Sequence, residues 1–164
     1  MAAIAVVLMT LVANPAVAKD TKPCGAGLIC ASDPATIVAA LQKAGYKAKL
    51  TTDNTGDPEI QSAASGYNFQ ILFYDCAEHK QCAAIQFYGS FNAEPAYTPT
   101  FVNKWNVDRR FLRAYLNDKK VLVFDHDVST IGGLTQDNFA DLLEWMDASL
   151  SAVNTYLNPP AAKK

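Results

Sequence analysis

Charge is scarce in this chain, histidine scarcer still, and no cluster of basic residues occurs along it. Fourteen basic residues against sixteen acidic ones give a formal net charge of -2, and charged residues make up only 18% of the sequence. No stretch could neutralise a row of phosphates, which excludes nucleic acid as a partner class. The only histidines are His79 and His126, so imidazole chemistry has two places to happen. No Cys-x-x-Cys occurs, which excludes the usual dithiol redox motif. Gly25-Ala26-Gly27 has neither a strand before it nor a third glycine at the right distance, so it reads as a turn and not a phosphate loop. No apolar run approaches the roughly 20 residues that a membrane-spanning helix needs.

What is present is apolar. Half of the 164 residues are hydrophobic, enough for one domain with a real core and no need of a metal. Residues 1–18 carry no charge, and the run Ile4 to Val12 has the length of a signal-peptide core. Asn14 and Pro15 break it, and Ala16 and Ala18 supply the small residues that a signal peptidase reads, so cleavage is expected before Lys19. The alternative is a buried N-terminal helix. Cys24 follows Thr-Lys-Pro rather than small apolar residues, which argues against a lipid anchor. The expected location is periplasmic or secreted, with no integral membrane segment left after cleavage.

Export would place Cys24, Cys30, Cys76 and Cys82 in an oxidising space, where an even count usually means disulfides. Four cysteines allow three connectivities. Both local gaps contain five residues, which favours pairing Cys24 with Cys30 and Cys76 with Cys82.

Periodicity then sets out the domain. Residues 19–31 read as an irregular, stapled segment, broken by Pro23, Gly25 and Gly27. Asp33 or Ser32 caps a helix that starts at Pro34, sets Ile37, Val38, Leu41 and Ala44 along one side, and ends at Gly45. Tyr46 to Thr51 alternates as a half-buried strand, Glu59 to Ala64 as a second, Tyr67 to Tyr74 as a third and Ala83 to Phe91 as a fourth. Thr98-Pro99 opens a short helix ending near Asn106, and Arg109 to Leu116 and Lys120 to Asp127 form a further hairpin. Thr135 opens a last helix whose Phe139, Leu143, Met146, Leu150, Val153 and Leu157 form an apolar stripe, widened by Leu142, Trp145 and Tyr156. Residues 158–164 are left as a frayed tail. The expected class is α+β, an antiparallel sheet of about six strands with helices at the start, middle and end.

Specific residues accompany this order. Asp33-Pro34, Gly45-Tyr46, Gly56-Asp57-Pro58, the hairpin from Phe73-Tyr74-Asp75-Cys76 to Cys82, Trp105-Asn106, Arg110-Phe111 and Gly133-Leu134-Thr135 resemble the YbjN family, a family of proposed bacterial sensory transduction regulators. Its domain looks like the chaperones of type III secretion. The resemblance covers residues 32–157 and implies a non-enzymatic protein that holds a partner segment, with homodimerisation as an option. The resemblance implies a cytoplasmic setting, as for the better-known members and the secretion chaperones, which contrasts with the expected signal peptide and the cysteines here.

Three clusters could carry chemistry. Asp125-His126-Asp127 offers an imidazole between carboxylates, the composition of a small metal-dependent hydrolase. On a strand, however, the two acids share one face and the histidine takes the other. Cys76, His79 and Cys82 could ligate zinc, but oxidation removes the thiolates, and no cofactor is expected. Trp105, Arg109, Arg110 and Arg113 have the composition of a protein-recognition hot spot. The competing reading puts Trp105 and Phe111 in the core and the arginines in ion pairs. The leading expectation is an exported binding module for a protein or peptide, regulatory or related to envelope stress; the alternatives are the hydrolase and a structural envelope protein without a ligand.

Overall fold

The computed structural model describes residues 23–159. The expected signal peptide, its cleavage point before Lys19 and residues 160–164 of the tail lie outside the described residues. Nine elements follow in order: α1 (Pro34–Lys43), β1 (Lys49–Thr52), β2 (Pro58–Ala64), β3 (Tyr67–Tyr74), β4 (Ala84–Phe91), α2 (Pro99–Asp108), β5 (Arg113–Leu116), β6 (Leu122–Ser129) and α3 (Gln136–Leu157). The strands make one antiparallel sheet in the order β1-β2-β3-β4-β6-β5. The expected α+β class with three helices is what the chain adopts.

Local chemistry sets the helix starts. Asp33 accepts from the Ala35 N–H at α1, Thr98 from the Phe101 N–H at α2 and Thr135 from the Asn138 N–H at α3, with Pro34 and Pro99 needing no partner for an N–H in the first turn. The side chains of Ile60, Phe69, Ile71, Phe73, Ile85, Phe87 and Phe124 alternate onto one sheet face and are buried with Ile37 and Leu41 of α1, Trp105 of α2, and Phe139, Leu143, Met146, Leu150 and Val153 of α3. The α3 stripe is therefore core. Cys24–Cys30 staples the N-terminal segment, and Ile29 bridges to Leu134 just before α3. Cys76–Cys82 closes the hairpin between β3 and β4.

Four elements differ most from expectation, among them β6, which runs Leu122–Ser129 and not Lys120 to Asp127 because Lys120, at φ 59°, closes the turn from Asn117. β1 starts at Lys49 and is mostly exposed instead of half-buried, because it forms the sheet edge and only Tyr46 and Ala48 before it pack on the core. α2 continues past Asn106 to Asp108. β5 starts only at Arg113, because Phe111 takes φ 67°, a left-handed conformation no strand can contain.

Among the described residues, no helix lies on the other sheet face. Paired residues Lys49, Gln61, Gln70, Tyr88, Asp125 and Arg113 make one row across all six strands. This row is polar throughout.

Candidate functional site

The corner between α2 and β5 collects the recognition residues named from sequence and separates them into different roles. Trp105 is 1% exposed and belongs to the core. Its ring stands edge-on to Phe124 at 4.9 Å and to Tyr156 at 5.3 Å, and Nε1 donates to the Leu112 carbonyl at 2.7 Å. A partner cannot touch it in this conformation, so of its two readings the structure selects packing. Arg109 lies over the Trp105 ring at 5.7 Å and Arg110 is exposed.

Arg113 turns to the other side. Its Nε donates to Asp125 Oδ1 at 2.9 Å and its Nη2 to Oδ2 at 2.7 Å, a two-pronged pair on a carboxylate that is 1% exposed. These bonds push the guanidinium pKa up from its ordinary value, and a neighbouring Tyr115 ring at 5.3 Å stacks with it. Arg113 is thus a structural clamp on the open face, away from Arg109 and Arg110.

Phe111 was named only as possible core, yet it is half exposed. Its ring stacks on Trp145 of α3 with centroids 4.2 Å apart and planes 18° off parallel. Trp145 is itself 39% exposed, and Val107 beside the corner is exposed too. The Phe111 carbonyl accepts from His126 Nδ1 at 2.9 Å, which places the ring proton on that nitrogen. An aromatic residue at positive φ stores strain of about 1–3 kcal/mol and persists only where its surroundings hold it. Here His126 and Trp145 do so. The sequence signal was thin: Trp145 sits at the margin of the apolar stripe, and nothing marks Phe111 as left-handed.

Asp125, His126 and Asp127 do not converge. Asp125 and Asp127 lie on the open face, where Gln86 Nε2 donates to Asp127 at 2.7 Å and to Asp125 at 3.3 Å, whereas His126 faces the helices and Phe111. Strand alternation explains the split. Cys76 and Cys82 are joined to each other and His79 holds Asp57 at 2.9 Å, so these three do not form a thiolate site. Among the described residues no group of three or more histidines, cysteines and acids could hold a metal.

Among curated proteins none matches the chain. The crystal structure of YbjN from E. coli, described as "a putative transcription regulator", is similar to it with a TM-score of 0.57 and 17% identity, covering 77% of this chain and 90% of that one. At that identity the likeness speaks for the fold. The YbjN family model, described as "Putative bacterial sensory transduction regulator", matches residues 33–158, from the α1 cap to the end of α3. With more than half of its length inside that match, and with the same architecture, this chain belongs to the YbjN family.

Proposed function

We propose that the chain is a non-catalytic regulatory module, exported to an oxidising compartment, which holds a protein or peptide on the Phe111–Trp145 surface. The observation that carries this reading is the exposed aromatic stack, held by a strained backbone and flanked by Arg109, Arg110 and Val107. Aromatic and arginine side chains at the centre of a patch are what binding hot spots use, and neither arginine has a carboxylate partner among the described residues. Two disulfides and no free cysteine among the described residues support the oxidising location. The family's description supports the regulatory part of the reading.

A photo-crosslinking amino acid at Val107 tests the surface in cells producing the whole chain. A discrete adduct is expected, and its mass tells a second copy of this chain from another protein. Phe111→Gly removes the ring without backbone strain, so the fold should survive. Loss of a hot spot of about 2 kcal/mol or more should deplete the adduct over ten-fold. Adducts that ignore the change, or none at all, refute the reading.

A further inference from the structure

The sheet has a second feature that recognition at Phe111 does not use. β1 is its outermost strand on one side, and Lys49, Leu50 and Thr52 are all exposed. The Asp53 N–H bonds the Asp57 carbonyl at 2.8 Å, so the antiparallel alternation directs the backbone groups of Thr51 and Lys49 toward β2. Leu50 and Thr52 therefore turn their N–H and C=O groups outward, where they meet no strand among the described residues.

At the start of this edge the charges on the open face have one sign, and Asp53 at its far end is taken up by the turn to Asp57. Lys47 and Lys49 border a groove of about 590 Å³ on the open face, lined further by Gln61, Asn68, Gln70 and Tyr88. Neither lysine has an ion-pair partner among the described residues. The two buried carboxylates of that face are engaged already: Glu59 accepts from Gln61 at 3.2 Å and Gln70 at 2.9 Å, and Asp125 is held by Arg113. On the other side of β1, Leu50 is 48% exposed and offers apolar contact.

We propose that the β1 edge takes up an extended acidic segment of another protein, which adds to the sheet as a further strand and sets alternate carboxylates against Lys47 and Lys49. Strand addition draws its affinity from the main chain and its specificity from every second side chain. Acids at one parity meet the lysines; apolar residues at the other parity meet Leu50. A second copy of this chain suits the edge less well, because pairing β1 with itself brings the lysines of both copies onto one face, where the acid opposite Lys49, Asp53, is already held by Thr55 and Asp57.

Fluorescence anisotropy with a labelled, end-capped peptide of alternating Glu and Val tests this on the disulfide-bonded chain. The peptide should bind, and Lys47→Glu with Lys49→Glu should weaken it at least about ten-fold while favouring the Lys–Val counterpart. Thr52→Pro deletes one outward donor and should abolish binding while the amides of Lys49 and Thr51 keep their protection from exchange. Should that proline instead loosen β1, the charge-swapped pair decides. Phe111→Gly should leave the peptide bound, which separates this edge from the Phe111 surface. No binding to the unaltered chain, or binding indifferent to both the charge reversal and the proline, overturns the proposal.

Discussion

The two ends of the sheet are finished in opposite ways. At β5 the Asn106 side chain of α2 acts as a short piece of strand: its Nδ2 donates to the Ala114 carbonyl at 2.9 Å and its Oδ1 accepts from the Ala114 N–H at 2.8 Å. Trp105 fills the space beneath and Arg113 ties β5 to β6 through Asp125. At β1 no side chain among the described residues does this work, and the edge is guarded chiefly by the charge of Lys47 and Lys49. Charge is the weaker guard, since a partner of opposite sign turns it into attraction. One edge is sealed by geometry; the other selects by charge.

The largest effect belongs to the sealed end. Trp105→Ala should destabilise the protein by about 3–5 kcal/mol, because it empties a core site against Phe124 and Tyr156 and leaves the Leu112 carbonyl without its donor. Leu50→Ala at the open end, by contrast, should stay within about 0.5 kcal/mol, as for other surface positions. Urea unfolding of both variants reads the difference. Equal losses would break the contrast between the two ends.

Much of this was legible beforehand, and for identifiable reasons. The β3–β4 hairpin, its local disulfide, the α3 stripe and the opposite facing of His126 and its two flanking acids are short-range consequences of period and spacing. Trp105 stayed between two readings because its deciding contacts, Leu112, Phe124 and Tyr156, come together only once α2, β6 and α3 are placed. Tyr46 to Leu50 alternates like a half-buried strand, yet alternation cannot say which strand ends up outermost. The Asn106 clamp and the left-handed Phe111 were invisible for the same cause. Both depend on where a distant element supplies a partner.

A smaller effect should follow from opening the sealed edge chemically. Asn106→Ala removes both bonds to Ala114 and leaves its N–H and C=O unpaired, a loss of about 1–3 kcal/mol. The variant should also self-associate in light scattering, since β5 would then offer a free edge without lysines to repel a copy. Stability and mass both unchanged would show that the clamp seals nothing.

The smallest effect lies at the open end, in the turn that holds β1 to β2. Asp53 Oδ1 accepts from the Thr55 hydroxyl and N–H, each at 2.8 Å, and from the Asp57 N–H at 3.0 Å. The Thr55 hydroxyl above all, with these backbone donors, holds its carboxyl below the usual carboxylate range. A carboxyl that ionises more readily folded than unfolded stabilises the folded form fully above its ordinary pKa, and that contribution fades as pH falls through the lowered folded value. Amides of β1 should therefore lose protection from hydrogen exchange as pH falls below the ordinary carboxylate range, while the Ala114 amide of β5, held by the neutral Asn106 carboxamide, keeps its own. Asp53→Asn retains the acceptor without the charge and should abolish the pH dependence at β1. If β1 and β5 loosened together in acid, the open edge would owe nothing to this turn, and the difference between the two ends would have to rest on Asn106 alone.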